Sequence, residues 1–222
     1  MDSGAGAATV GGNRRALVVD DHALFAEALA RVLDLQGFEC TVAGLLDVVA
    51  EVHRLRPHLV LLDVNLGGTD GLDLVEPAVR SGAKVVIVTG TRDEDRLAVA
   101  AALGASGWVD KASPLPELVE AASAVLAGRT LWDPALRGEL VERGHRQLAR
   151  RGELRWRFDG LTTREWEVLE LLDRGRSVPA IGLELRISVP TVRTHIRGIL
   201  AKLDVSSQLA AVALYDERRR LG

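Results

Sequence analysis

With 222 residues, the chain has room for one large domain or two small ones of about 100–200 residues each. Its composition, 47% hydrophobic and 27% charged with only 22 Gly and 7 Pro, excludes disorder and collagen and allows ordinary apolar cores. A bilayer span is excluded as well, because the longest uncharged apolar stretch, 97–109, has 13 residues, short of the ~18–20 that a crossing helix needs. Residues 1–13 are Gly/Ala-rich and lack a cationic start followed by an apolar run, so they read as a disordered tail and not a signal peptide. A cytoplasmic location is therefore expected.

The single Cys40 permits no internal disulfide, and five scattered His show no metal-ligand spacing. The net charge of −3 is the sum of two unlike halves. Residues 1–128 hold 10 Lys/Arg against 18 Asp/Glu, whereas 129–222 hold 18 against 13. An acidic half can concentrate cations and a basic half can approach a polyanion. Only Lys84, Lys111 and Lys202 are Lys among 28 basic residues, so a retained Lys is informative.

In chain order, the acidic half alternates apolar runs with helical patterns. LVV (17–19) leads to a helix at 23–35, FECTVA (38–43) to a helix at 45–55, and LVLL (59–62) to a helix at 72–80. VVIV (85–88) precedes a helix at 93–103, and GWV (107–109) a helix at 115–127. Continuous Val/Ile/Leu strands, rather than alternating ones, indicate burial on both faces. The fold class is therefore α/β, a doubly wound five-stranded parallel sheet spanning 14–128. Residues 129–157 read as a connecting helix that dissolves into a charged linker.

From residue 158 the chain is helical only, in four helices. Thr162-x-x-Glu165 is a capping box opening a helix at 166–172, Ser177 and Pro179 open 180–185, Ser188 and Pro190 open 191–203, and Ser206 caps 208–217.

Ligands of a doubly wound sheet bind beyond the carboxyl ends of its strands. Those ends carry Asp20 and Asp21, Asp63, Thr89 and Lys111. Packed carboxylates repel, so one must hold a proton or a divalent cation must neutralise the group. Mg²⁺ suits the oxygen donors, with no Cys or His read as lying nearby. Such a group can form an aspartyl phosphate whose charge is held by Mg²⁺, Lys111 and the Thr89 hydroxyl. Asp63, on the central strand, is the best nucleophile.

The segments LVVDDH, LLDVNLGGTDG, VTG and GWVDK resemble the receiver domain of two-component response regulators. The resemblance implies that Asp63 accepts phosphate from a sensor histidine kinase. It also implies that Asp21, Asp63 and the Asn65 main-chain carbonyl hold Mg²⁺, with Asp20 acting through water. Thr89 is then the switch hydroxyl, Lys111 contacts the phosphoryl group and Trp108 takes the place of the usual Tyr or Phe switch aromatic. Leu66-Gly67 replaces the usual Met-Pro, which is expected to loosen the loop after Asp63.

In the basic half, Val192, Ile196, Ile199 and Leu203 form one apolar stripe at helical spacing. The opposite face carries Thr194, Arg197, Gly198 and Ala201, a mix of small and cationic side chains suited to a groove. With the preceding short helix this makes a helix-turn-helix. Gly182, inside that short helix, is expected to soften it. LTTREWEVLELL and AIGLELRISVPTVRTHIRGILAKLDVSS resemble the LuxR-type DNA-binding domain. The resemblance implies that Arg193, Thr194 and Arg197 face bases of double-stranded DNA, with Thr191, His195 and Lys202 nearer phosphates.

Together the halves resemble a NarL/FixJ-type response regulator, in which phosphorylation of Asp63 controls homodimerisation and sequence-specific DNA binding. Such a chain is not an enzyme, beyond at most slow hydrolysis of its own acyl phosphate. A regulator controlled by a partner or ligand without phosphorylation is the other reading. A haloacid dehalogenase-type hydrolase needs an acid two residues after its nucleophile, where this chain has Asn65.

Overall fold

The computed structural model describes residues 14–44 and 48–221. The tail expected at 1–13, and the start of the helix expected at 45–55, lie outside them. Two compact units divide at His145/Arg146.

In the first unit, β1 (Arg14–Val19), β2 (Phe38–Ala43), β3 (Leu59–Leu62), β6 (Lys84–Thr89) and β7 (Gly107–Asp110) form one sheet in the order β2-β1-β3-β6-β7. Every pairing in it is parallel. Helices α1 (Ala23–Leu35), α2 (Val48–Leu55), α3 (Val75–Arg80) and α4 (Glu94–Ala102) make the crossovers, and α5 (Leu115–Leu126) follows the last strand. All four residues of β3 are buried, as are Val85 to Thr89 of β6, which is why these strands read as unbroken apolar runs. On one face, Leu29 and Leu33 of α1 and Leu118 and Val125 of α5 pack with Val18, Leu61 and Val88. The helix expected from residue 72 begins as a 3₁₀ turn at Gly71–Leu74, capped by the Asp70 carboxylate on the Leu72 amide, before α3 proper.

One small element was not evident in the sequence pattern. Asn65–Leu66 (β4) and Thr69–Asp70 (β5) pair antiparallel across Gly67 and Gly68. Both glycines have positive φ, 56° and 111°, a region that glycine enters without steric cost. Leu66 and Gly67, expected to loosen this loop, are the last residue of β4 and the first of the hairpin turn. Gly71 then folds back so closely that a Cβ there would collide with the Asp63 carbonyl oxygen.

The segment after α5 differs most from expectation. Instead of a helix dissolving into linker over 129–157, α6 runs unbroken from Arg137 to Asp159. Leu154 and Phe158, four residues apart, are buried in the core of the second unit, and Glu153 pairs with both Arg150 and Arg157 along the helix surface. A few well-spaced apolar anchors and i,i+3 and i,i+4 ion pairs suffice to keep a charge-rich stretch helical. Before α6, the Trp132 indole donates to the Ala105 carbonyl oxygen at 2.7 Å and the Leu131 amide to that of Ser106 at 2.9 Å. Arg143 reaches Glu94 and Asp95 on α4.

The second unit packs α7 (Thr163–Asp173), α8 (Val178–Leu185), α9 (Val189–Leu203) and α10 (Gln208–Leu221) around Val168, Leu169, Ile181, Val192, Ile199 and Leu203. No described helix is long and apolar enough to cross a membrane.

Gly144 of α6 lies against α4: a Cβ there would overlap the Ala98 carbonyl and the Ala102 side chain, whereas a Cβ on Gly152 of the same helix would meet nothing. The two alanine substitutions should therefore have opposite signs in chemical denaturation. Gly152→Ala should stabilise by about 1 kcal/mol through helix propensity. Gly144→Ala should destabilise by about 1–3 kcal/mol through overpacking.

Candidate functional site

Asp20 and Asp21 follow β1, Asp63 follows β3 and Lys111 follows β7, so the parallel topology delivers all four to one end of the sheet. Asp20 and Asp63 are buried, at 6% and 4% exposure, while Asp21 is exposed. The Lys111 ammonium bridges the buried pair, donating to Asp20 at 2.7 Å and to Asp63 Oδ2 at 3.0 Å, and it also lies 4.8 Å over the Phe25 ring. Burial disfavours this ammonium, but the hydrogen bonds and charges of Asp20 and Asp63 outweigh it and raise its pKa above the ordinary lysine value.

Asp63 Oδ1 accepts the Asn65 amide at 3.0 Å, and Asp20 Oδ1 accepts the His22 amide at 2.7 Å. The donor atoms of Asp20, Asp21, His22 and Asp63 all lie within 4.8 Å of one another and could hold a metal ion. Three carboxylates facing one ammonium leave two negative charges, which a divalent cation would balance.

The imidazole is a correction to the expectation that no His lies nearby. His22 Nδ1 sits 2.7 Å from Asp21 Oδ1 and 3.2 Å from Lys111 Nζ, because the turn from β1 into α1 folds the ring back over the acidic pair. The donors that reach inward remain carboxylate oxygens, while the ring is largely exposed.

Thr89, at the end of β6, is 1% exposed, and its hydroxyl lies 3.3 Å from that of Thr91. The Thr91 hydroxyl oxygen in turn accepts from the side-chain Nδ2 of Asn65 at 3.5 Å. Thr91 thus ties the ends of β3 and β6 together, a role without a sequence signal because a Thr after a strand is commonplace. Trp108 alternates along β7 with Val109, which packs into the core cluster. Trp108 lies with the Arg92 guanidinium 5.4 Å over its ring, and with Leu97, Leu131, Trp132, Leu136 and Arg143 it lines a cavity of 420 Å³.

In the second unit, Ser177 caps α8 and Ser188 caps α9, each side chain accepting an amide of the first turn. Between them Arg186 adopts the left-handed conformation, φ 56°. Gly182 serves the turn: the Ile187 amide donates to its carbonyl at 2.9 Å, and a Cβ would lie 2.9 Å from the Ile187 carbonyl oxygen. The glycine expected to soften this helix is what lets the turn pack against it.

On α9, Val192, Ile196, Ile199 and Leu203 are buried, as their spacing requires. Thr191, Arg193, Thr194 and Arg197 are exposed, and His195 is half-buried. The Thr194 hydroxyl donates to the Pro190 carbonyl at 3.1 Å and accepts from Arg197 at 3.3 Å, setting the direction of that guanidinium.

Two residues on this helix face inward more than the wheel indicates. Lys202 Nζ donates to Glu165 Oε2 at 2.6 Å, and a Cβ on Gly198 would lie 2.5 Å from Glu165 Oε1. Gly198 is small because a carboxylate occupies the space beside it.

Glu165 is a hub for this unit. It is 6% exposed and also accepts the Thr162 amide at 2.7 Å, completing the capping box of α7. Desolvation raises its pKa, but Lys202 and the two Thr162 hydrogen bonds reverse that, so it lies below the ordinary glutamate value. A depressed carboxylate pKa contributes stability above its unfolded-state value, lost as pH falls through the folded one. Glu165→Gln should therefore cost about 1–3 kcal/mol at neutral pH. It should also flatten the loss of stability below the usual glutamate range, as followed by denaturation of the full chain between pH 3 and pH 7.

Residues 16–123 match the response regulator receiver domain family, and residues 159–215 match the luxR family of bacterial regulatory proteins. The chain is 32% identical over 213 residues to the transcriptional regulatory protein LiaR of Bacillus subtilis, an alignment covering 93% of this chain and 98% of LiaR. It is 35% identical over 209 residues to the probable transcriptional regulatory protein NarL of Mycobacterium tuberculosis, covering 90% of this chain and 92% of that protein. Among solved structures it is similar to a two-component response regulator of the LuxR family from an Aurantimonas species. That match has 28% identity and a TM-score of 0.50, covering 59% of this chain and 97% of the other.

Proposed function

Because the chain belongs to the NarL/FixJ-type response regulators, which join a receiver domain to a LuxR-type DNA-binding domain, we propose that phosphorylation of Asp63 switches its binding to DNA. The observation that carries this reading is the Lys111 ammonium held between Asp20 and Asp63, with Asp21 alongside. A buried carboxylate kept next to a compact cation is set up to become, and then to hold, an acyl phosphate.

The donor is a phosphohistidine of a sensor kinase. An Asp63 oxygen attacks phosphorus, the P–O bond forms as the P–N bond breaks, and the departing imidazole takes up a proton. Lys111 turns from the carboxylate to a phosphoryl oxygen, and the Thr89 hydroxyl donates to another. Asp21, Asp63 and the Asn65 carbonyl would hold Mg²⁺, with Asp20 acting through water; when bound, the ion neutralises the carboxylates and the incoming phosphoryl charge. Removal of Thr89 from its place beside Thr91 is the step that the Trp108 side of the sheet would sense.

We take residues 14–128 as the receiver and 158–222 as the DNA-binding domain, with the connection 129–157 lending Leu154 of α6 to the core of the latter. In the last, Arg193, Thr194 and Arg197 read bases from α9, while Thr191, His195 and Lys202 lie toward phosphates. Lys202 does so while paired with Glu165, so its charge is shared between DNA and the fold. The active species is a homodimer working on DNA in the cytoplasm, and it turns over no substrate.

Two measurements test this. Asp63→Asn should remove Mg²⁺-dependent incorporation of phosphate from a small acyl-phosphate donor while leaving the thermal midpoint within a few degrees; labelling at the wild-type level would move the acceptor elsewhere. Arg197→Ala should cost about 1–3 kcal/mol at the preferred DNA site and relax selection at one base position, as read by binding to a randomised duplex pool. Uniform weakening across all sequences would assign Arg197 to phosphate.

A further inference from the structure

The loop that follows Asp63 is held from outside. Its tip is the Gly67-Gly68 turn, and a pair of glycines has the least intrinsic stiffness of any turn sequence. Its base, however, is gripped by one side chain from α4. Arg96 Nη2 donates to the Val64 carbonyl at 2.9 Å and to Asp70 Oδ1 at 2.6 Å. The same Val64 carbonyl accepts the Gly71 amide at 2.9 Å, and the same Asp70 oxygen accepts the Leu72 amide at 3.0 Å. Two acceptors on opposite ends of the hairpin, residues 64 and 70, are thereby pinned by a single nitrogen. Val64 lies directly between Asp63 and Asn65.

We propose that Arg96 is a positioning residue for the metal half of the phosphorylation site, fixing the Val64–Asp70 loop so that the Asn65 carbonyl faces the carboxylates. The inference rests on the reading of Asp63 as phosphoacceptor given above. An ion pair as dry as this one, with Asp70 and Arg96 side chains 7% and 21% exposed, is a poor way to gain stability, because desolvation offsets most of the attraction. The guanidinium is also imperfectly satisfied, since its buried Nε has no hydrogen-bond partner. Geometry of this kind makes sense if what matters is where the loop is held. Arginine is required for reach: the two acceptors sit across the loop from α4, and a lysine ends one bond short.

The experiment compares wild type, Arg96→Met, Arg96→Lys and Asp70→Asn as full-length chains. Mg²⁺ affinity is measured by calorimetry without any phosphoryl donor, and initial phosphorylation by a small acyl phosphate is measured across a Mg²⁺ series. Thermal melts identify any variant that is unfolded, and Asp70→Asn is the mild case because its remaining oxygen can still cap Leu72.

Arg96→Met is expected to raise the Mg²⁺ Kd at least fivefold. Its phosphorylation rate should fall at low Mg²⁺ and return to within twofold of wild type at saturation. Arg96→Lys and Asp70→Asn should fall between. An Arg96→Met or Asp70→Asn Kd within twofold of wild type, in a folded protein, overturns the proposal and leaves the pair a structural one. A rate that stays depressed at saturating Mg²⁺ with unchanged Kd does the same. Failure of wild type to take up phosphate, with Mg²⁺ bound and weakened by Arg96→Met, would instead remove the phosphoacceptor reading and keep Arg96 as the residue that positions the metal.

Discussion

A lysine ammonium shared by two buried carboxylates is the constraint around which the first unit is organised. Asp20 and Asp63 are both almost inaccessible, and neither can be accommodated there as an isolated anion. Lys111 resolves this by reaching both, but only because β1, β3 and β7 end at the same side of the sheet. The parallel arrangement is in turn enforced by strands buried on both faces, which need helices on each side and crossovers that return every strand in the same direction. One ammonium does not balance three carboxylates, so the pocket retains a demand for positive charge. A cation bound among these carboxylates would lower that residual demand.

The second unit repeats the principle with a different purpose. Glu165 is as buried as Asp20, yet its Oε2 accepts from both Thr162 and Lys202, and Gly198 leaves room for its Oε1. Here the charge is spent on holding α9 to α7. The cationic and hydroxyl side chains that remain exposed, Arg193, Thr194 and Arg197, then project from the helix so held. A satisfied carboxylate serves architecture, whereas an incompletely neutralised cluster serves chemistry.

Glycines mark the places where this molecule brings backbones together. Gly71 passes against the Asp63 carbonyl, Gly144 against α4 and Gly182 against the turn before α9. At these positions helix propensity or loop flexibility, judged residue by residue, does not register what lies opposite. The absent side chain matters because of what lies opposite, not because of freedom in the chain.

The sequence by itself determined the order of the five sheet strands and their helices and of the four last helices, the caps at Thr162, Ser177 and Ser188, and the polar groups at the strand ends. These are local: they follow from periodicity and from side chains meeting their own backbone within a few residues. Tertiary structure alone decided that α6 is continuous, because Leu154 and Phe158 find a core supplied by residues far along the chain. It likewise decided that His22 closes over the acidic pair, that Lys202 turns to Glu165 and that Arg96 grips the loop after Asp63. A buried donor takes whichever acceptor the packed fold leaves within reach, and a pattern of residue types along one chain does not specify that distance.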